Sequence, residues 1–437
     1  MKTPANPAPR VVVVGGGFAG MAATRALARS GARVTLVDRR NHHLFQPLLY
    51  QVATAALSPG DIAWPIRAML RGQANVRVLL SRVVGVDMAA QCVKLEDDEI
   101  PFDHLVLATG ARHAYFGRDE WEERAPGLKK ILDATHIREK LLMAFERAEA
   151  LDDPVATKRL LTFVVIGGGP TGVEMAGAIA ELAQHTLARD FRIIDPASAR
   201  VVLIQAGARL LETFPERLSE NARRELVELG VEVRLGERVN ALTDDGVQVG
   251  DEDIPSANVV WAAGVMASPA GKWLGAAVDR AGRVIVEPDL SVPGHPNVFV
   301  IGDTASAVRA NGEPVPGIAP AAKQMGTHVG RTLAARIVGG REPGAFRYRH
   351  LGNLATIGRT AAVADFGWIK MTGHIAWVLW AIVHVFFLIG WRNRLVVALS
   401  WFWSYVTYGR GVRLVTAGEE VAREIETHGA HAGGRAA

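Results

Sequence analysis

One pattern occurs twice in this chain and constrains its fold more than any other feature. Val11–Val14 is an unbroken valine run, the composition of a strand covered on both faces of a parallel sheet. It leads into Gly15, Gly17 and Gly20. The alanine-rich stretch Met21–Ser30 then reads as a helix, and Ala32–Val37 as a second strand ending at Asp38. The order returns further on. Leu160–Ile166 reads as a strand, Gly167, Gly169 and Gly172 repeat the glycine spacing, Val173–Gln184 reads as a helix, and Arg200–Ile204 as a strand ending at Gln205.

Each copy is a complete strand, glycine loop, helix and strand. The first glycine allows a tight turn, the second a close approach of backbone to pyrophosphate, and the third close packing of helix on strand. The free N–H groups of the helix N-terminus favour a phosphate. A lone GxGxxG is a weak signal, but two full units imply an α/β chain with two Rossmann-like dinucleotide-binding domains. The candidate binding residues of the first loop are Gly15, Gly17, Phe18, Ala19 and Gly20, with Asp38 and Arg39 at the end of the second strand. Asp38 stands where a carboxylate accepts from a ribose 2′-OH. Those of the second loop are Gly167, Gly169, Pro170, Thr171 and Gly172, with Gln205 at the ribose position and Arg209 shortly after. Gln205 neither strongly favours a free 2′-OH nor repels a 2′-phosphate. Simple binding of NADH and a relaxed or NADPH-leaning choice both stay open.

The composition removes several classes. Cys92 is the only cysteine, so an intramolecular disulfide, a cysteine-rich metal site and paired-cysteine redox chemistry are excluded. The histidines His42, His43, His104, His113, His374 and His384 lack zinc-type or iron-type spacing, and no metal is expected. The net charge of +4 suits an anionic surface, and with no nucleic-acid motif present a membrane is the better partner. The residues before Val11 lack the apolar core of a secretory signal, so a cytoplasmic catalytic body is expected.

Leu105–Ala111 (LVLATGA) and Val259–Gly264 (VVWAAG) are strands ending in small-residue turns, and Val298–Asp303 (VFVIGD) is a buried strand delivering an acid. From about residue 10 to residue 345 the chain resembles the glutathione-reductase-like flavoproteins. More closely it resembles the type II NADH dehydrogenases, single-subunit NADH:quinone oxidoreductases. The matching segments are Asn41–Ala55 (NHHLFQPLLYQVATA), Gly167–Ala180 (GGGPTGVEMAGAIA) and Leu351–Leu414 with its IGRTAAVADF and tryptophan-rich stretches. The resemblance implies that one of the two dinucleotide-binding domains is inserted in the other. It implies FAD on the first loop, with Ala108, Thr109, Gly110, Gly302, Asp303 and Ala321 contributing and Pro47, Leu48 and Gln51 packing beside the flavin. It implies NADH or NADPH on the second loop, with Ala263 and Gly264 nearby, a quinone as acceptor, and a homodimer. One motif departs. The family's A-Q-x-A-x-Q quinone signature reads Ala319–Gln324, APAAKQ, so Gln324 is kept but Pro320 has no side-chain donor.

Glu174, two residues after Gly172, reads either as a first-turn acid complementing the helix dipole or, as the resemblance implies, as a group that orients the nicotinamide or relays a proton. Lys323 and Gln324 follow the Pro/Gly-rich stretch Pro314–Pro320 and are expected to open a helix whose N–H groups face the reduced flavin, or else to cap it in solvent. The alternatives to quinone reduction are electron delivery to a soluble redox partner and redox sensing at the membrane.

His374–Gly390 carries no charge over about seventeen residues, at the lower limit for a spanning helix. Arg392 and Arg394 follow, then Leu395–Tyr408 is apolar again, with Arg410 and Arg413 after it. Most of the ten tryptophans lie after residue 366. A buried core helix and a membrane hairpin are possible. A monotopic pair of interfacial helices on the cytoplasmic face of the inner membrane, its arginines at lipid headgroups, fits length and composition best. The expected division is an FAD domain at 8–115 and 265–350, an NAD(P)H domain at 116–264, a membrane-anchoring region at 351–415, and a polar, partly disordered tail at 416–437.

Overall fold

A computed structural model describes residues 8–407 and 409–415; the tail from 416 lies outside the described residues. The described residues divide into two compact units, one drawn from 8–44, 63–114 and 264–352, the other from 45–62, 115–263 and 353–415. Phe45–Ile62 therefore packs with the second unit, although it lies inside the range 8–115.

The first unit is built on a six-stranded sheet in the order Ser291–Val292, His295–Val300, His104–Leu107, Arg10–Val14, Arg33–Asp38, Val76–Leu80. All neighbours are parallel except the first pair. The valine run is buried throughout because Val11 and Val13 face one side layer while Val12 and Val14 face the other. The strand order reverses between Arg10–Val14 and His104–Leu107. In open α/β sheets a ligand crevice forms at such a switch point, beyond the carboxyl ends of the strands.

The second unit repeats the arrangement with four parallel strands, in the order Val231–Leu235, Arg200–Gln205, Thr162–Ile166, Asn258–Trp261. Both loop helices start earlier than their composition suggests, at Phe18 and at Pro170. Gly17 and Gly169 are extended and act as N-caps, so the third glycine of each motif lies inside the first turn. The second helix ends at Glu181 and continues as a π-helical turn, Leu182–Thr186.

The C-terminal part of this unit is a three-stranded antiparallel sheet, Asn353–Ile357, Ala361–Asp365 and Lys370–Thr372, followed by helices Gly373–Phe387 and Trp391–Thr407. Among the described residues no helix is long and apolar enough to cross a membrane. At about 1.5 Å per residue these two fall short of a hydrocarbon core of about 30 Å. Arg392 and Arg394 sit in the first turn of the last helix rather than between two segments. Cations are disfavoured at a helix N-terminus, which hid this boundary. Arg394 Nε donates back to the Leu388 carbonyl at 2.8 Å.

In the first unit the helix Phe18–Ala26 crosses the helix Ala319–Ile337 at close range. A Cβ on Gly326 would overlap the Ala19 carbonyl, and one on Gly330 would lie 2.6 Å from that of Ala23. Overpacking of this kind costs about 1–3 kcal/mol. Gly326→Ala is expected to lower the melting temperature by several degrees and weaken FAD retention. Gly72→Ala, where a Cβ meets nothing within 4 Å, should leave both unchanged in the same thermal-shift assay.

Candidate functional site

The two loops solve the same packing problem. Gly15 (φ +103°) and Gly167 (φ +113°) turn the chain at the strand end, where a Cβ would overlap the Ala108 carbonyl or lie 2.6 Å from that of Ala262. Gly20 and Gly172 lie against the carbonyls of Gly15 and Gly167. Gly17 and Gly169 face open space within 4 Å. The free N–H groups of each first turn point the same way, as an anion requires.

The first unit meets the needs of FAD. Asp38 Oδ2 accepts from the Gly16 N–H at 2.5 Å and Oδ1 from the Arg40 N–H at 2.7 Å, leaving lone pairs for a ribose hydroxyl. Thr109 Oγ1 bonds with the hydroxyls of Ser268 and Thr304, and Thr304 donates to the Gly110 carbonyl at 3.1 Å. Asp303 lies in the single turn Gly302–Thr304, half-buried, and its carboxylate accepts no hydrogen bond among the described residues. Ala19 and Gly302 meet here, with a Gly302 Cβ 3.1 Å from that of Ala19. A glycine cradle, free N–H groups and an unengaged carboxylate are what a diphosphate with a polyol chain requires.

The helix Ala319–Ile337 opens four residues before Lys323. Its free N–H groups are those of Ala319 and Ala321, since Pro320 has none and Ala322 already donates to the Ile318 carbonyl. Lys323 and Gln324 thus lie within the helix. Both ends of the Gln324 amide bond the Arg349 backbone at 2.9 Å.

In the second unit Gln205 Oε1 accepts from the Gly168 N–H at 2.8 Å, as Asp38 does in the first. Arg209 donates to the Glu212 carbonyl oxygen at 2.8 Å. Glu174 is the fifth residue of its helix, and the first turn holds no acid, so of its two readings the dipole-complementing one loses its ground. Its carboxyl faces a cavity of about 70 Å³, also lined by Tyr50, Gln51, Trp380, Trp401 and Arg410. Burial pushes the Glu174 carboxyl up to about 8, opposed by a bond from the Thr356 backbone. Burial, then the nearby Glu174, raises the Tyr50 phenol as well. Gln51 joins two of these groups: its Nε2 donates to the Tyr50 hydroxyl at 2.9 Å, and its Oε1 accepts from Trp401 Nε1 at 2.7 Å.

The cavity wall is held by groups that composition did not single out. Arg410, 9% exposed, pairs with the buried Glu181 at 3.5 Å and donates to the Thr54 and Ala178 carbonyls at 2.7 and 3.3 Å. The Arg359 N–H donates to Glu181 Oε1 at 2.7 Å, and its guanidinium bonds the carbonyls of Ser404 and Tyr405. Arg410 is therefore a buried partner and not an arginine at the lipid headgroups, because Glu181 offers a charge where water does not reach. Arg413 pairs with Asp190. The available signal was helical: Glu174, Ala178 and Glu181 recur at i, i+4 and i+7, a single face carrying two acids.

Residues 9–326 match the pyridine nucleotide-disulphide oxidoreductase family, and residues 350–410 match the NDH2 C-terminal domain. A type II NADH:quinone oxidoreductase of Mycobacterium tuberculosis is 45% identical over 95% of this chain and 92% of its own length, and a second from that organism is 44% identical over 96% and 92%.

The chain belongs to the type II NADH:quinone oxidoreductases.

A structure of NDH2 from Plasmodium falciparum with NADH superposes with a TM-score of 0.84, covering 92% of this chain and 99% of that one, at 19% identity, a likeness of fold. Disulfide-reductase members of the wider fold use paired cysteines, which this type II enzyme lacks, Cys92 being its only one. The C-terminal match covers the turn and helices that carry Arg359, Trp380 and Trp401, and Arg410 just beyond them, so part of the buried cluster comes from the segment that marks the NDH2 branch.

Burial outweighs mutual attraction at the Glu181–Arg410 pair and pushes the Glu181 carboxyl up. Removing one member of such a pair strands a charge, at a cost of about 3–5 kcal/mol. Arg410→Met is expected to destabilise by that much in urea unfolding. Adding Glu181→Gln should recover a large part of the loss.

Proposed function

We propose that NADH docks on the second loop, that FAD is held by the first, and that a membrane quinone takes up the electrons in the cavity that Glu174 faces. The observation that carries this reading is the placement of Glu174 on the wall of a cavity shared with Tyr50, Gln51, Trp380 and Trp401, where burial pushes its carboxyl up to about 8. FAD, when bound, supplies the two-electron chemistry between nicotinamide and acceptor. The chain positions and protonates. Gly167, Gly169, Thr171 and Gly172 seat the pyrophosphate, with Gln205 at the ribose and Ala263 and Gly264 beside the nicotinamide. The glycine cradle of the first unit, Asp38, Asp303, Ala108, Thr109, Gly110 and Ala321 would hold FAD, with Arg39 as a further contact; Pro47 and Leu48 are added by the family resemblance alone. Gln51 serves the acceptor side through Tyr50 and Trp401.

Reduction of a quinone to a quinol needs two protons as well as two electrons. The Glu174 carboxyl is protonated below about 8 and can give its proton to a quinone oxygen, then regain one through the cavity. The Tyr50 phenol, kept neutral by burial, is a second donor on the same wall. Trp380 and Trp401, stacked with ring centroids 5.2 Å apart, offer flat apolar surface to a quinone ring. In this reading Gln324 holds the Arg349 segment and Lys323 supplies positive charge near it. No proton is pumped, as befits the type II family to which the chain belongs.

The outer faces of the last two helices fit a lipid surface. Ile375, Phe402 and Trp403 are 70%, 67% and 64% exposed, more apolar area than isolated surface residues present. They lie in the plane of the interface, where a quinone enters from the bilayer. The cytoplasmic face of the inner membrane and a homodimer complete this reading and rest on the family relationship.

Glu174→Gln is expected to slow NADH:quinone turnover at least tenfold, within the range of general-acid effects, while reduction of bound flavin by NADH stays fast in stopped flow. The sign with pH follows from the raised carboxyl: it is a proton donor below about 8 and an anion above. Wild-type turnover should fall as pH rises through 8, and the variant should lose that break. Unchanged turnover and an unchanged profile would refute the role. Phe402→Glu combined with Trp403→Glu should lower binding to anionic lipid vesicles at least tenfold, since burying each aromatic contributes about 1.5–3 kcal/mol; equal co-sedimentation with wild type would exclude this face as the anchor.

A further inference from the structure

The loop after strand Arg200–Gln205 doubles back towards the nucleotide. Leu211 takes a left-handed backbone (φ 49°), which a branched side chain rarely adopts, and its N–H donates to the Gly168 carbonyl at 2.8 Å. The reversal brings the next residue, Glu212, beside Gln205, whose Nε2 donates to Glu212 Oε1 at 3.0 Å. A Cβ on Gly207 would overlap that oxygen and lie 2.8 Å from Gln205 Nε2. The carboxylate thus fills space that only glycine leaves open. Gly207 is fixed in turn, its carbonyl accepting from the Gly236 N–H at 2.9 Å.

In the Rossmann fingerprint a single acid at the end of the second strand does two things. It satisfies a loop N–H, and it presents negative charge to the ribose. Here Gln205 performs the first through Oε1 and carries the second in from elsewhere through Nε2. We propose that Glu212 is the specificity-determining acid of the nucleotide site, selecting NADH over NADPH, with Gln205 as the residue that positions it. This rests on the reading that the second loop binds the nicotinamide dinucleotide. An ionised carboxylate accepts from ribose hydroxyls, whereas a 2′-phosphate brings like charge against it. Arg209 is the cation that would favour a 2′-phosphate, and it is drawn to the Glu212 carbonyl oxygen.

The test compares kcat/KM for NADH and NADPH in the FAD-loaded enzyme with a short-chain quinone, together with the rate at which each nucleotide bleaches the flavin. Wild type should prefer NADH strongly. Glu212→Gln should shrink the NADH-over-NADPH ratio at least tenfold, chiefly through a lower KM for NADPH, the scale of one like-charge contact near a surface. Raising salt should narrow the wild-type ratio, because screening shortens the reach of a charge to about 3 Å at 1 M, and leave the Glu212→Gln ratio nearly flat. Gln205→Glu placed in the Glu212→Gln background should restore the preference and serves as the check should the single variant fold poorly. A ratio that Glu212→Gln leaves unchanged, with wild type reduced normally by NADH, overturns the proposal alone. Wild-type flavin that neither nucleotide bleaches overturns the functional reading and the proposal with it.

Discussion

A cation and a carboxylate buried together, Arg410 and Glu181, are what the acceptor side of the second unit depends on. Neither charge is cheap to bury, and attraction alone does not offset the loss of water. The pair persists because its remaining hydrogen-bonding capacity is used: Arg410 bonds the carbonyls of Thr54 and Ala178, and Glu181 accepts from the Arg359 backbone. Those bonds draw together the segment around Thr54, the far end of the nucleotide-loop helix, the turn at Gly358 and the chain beyond the last helix. Gly358 (φ +61°) makes that convergence possible, since a Cβ there would lie 2.7 Å from Glu181 Oε1. The cavity is the space these four segments leave open.

The same pair explains how Glu174 stays unmatched. On one helix face the two acids lie seven positions apart, yet only Glu181 has a buried cation. Glu174 meets burial with one backbone donor, so its carboxyl rises to about 8 while its neighbour is held as half of a pair. Two acids on one helix thus take two roles. One is used for construction, and the other keeps a proton near neutral pH, where a group that gives up and regains protons works best.

How far each feature could be read from sequence tracks the distance over which its cause acts. The glycine loops were legible because much of the demand on them is local: Gly15 and Gly167 turn the chain with positive φ, and Gly20 and Gly172 lie against carbonyls only five residues back. The buried strands were legible because parallel packing on both faces leaves an unbroken apolar run. Helix starts were misplaced by three residues because Gly17 and Gly169 act as caps in an extended conformation, which composition does not reveal. The cavity was not legible. Trp401 and Gln51 are 350 positions apart, and nothing in Arg410 announces that it is buried while Arg413, three residues on, is partly exposed. A basic residue after an apolar run suggests a headgroup unless a distant acid has claimed it.

The two nucleotide loops show the same principle at a finer scale. Asp38 and Gln205 occupy equivalent positions and satisfy equivalent donors, the N–H groups of Gly16 and Gly168, at 2.5 and 2.8 Å. Either side chain supplies the oxygen that the backbone requires, so the loop itself does not demand an acid. The charge at this position is therefore free of the fold and can be delivered from another part of the chain. Glu212 arrives by a left-handed turn at Leu211 and a void above Gly207, both of which are backbone facts and neither of which is a motif. A fingerprint read one residue at a time scores Gln205 as a lost acid. Read as a structure, the strand end still has one, held at second hand, and the specificity of such a site is a property of the loop's return path as much as of the strand's last residue.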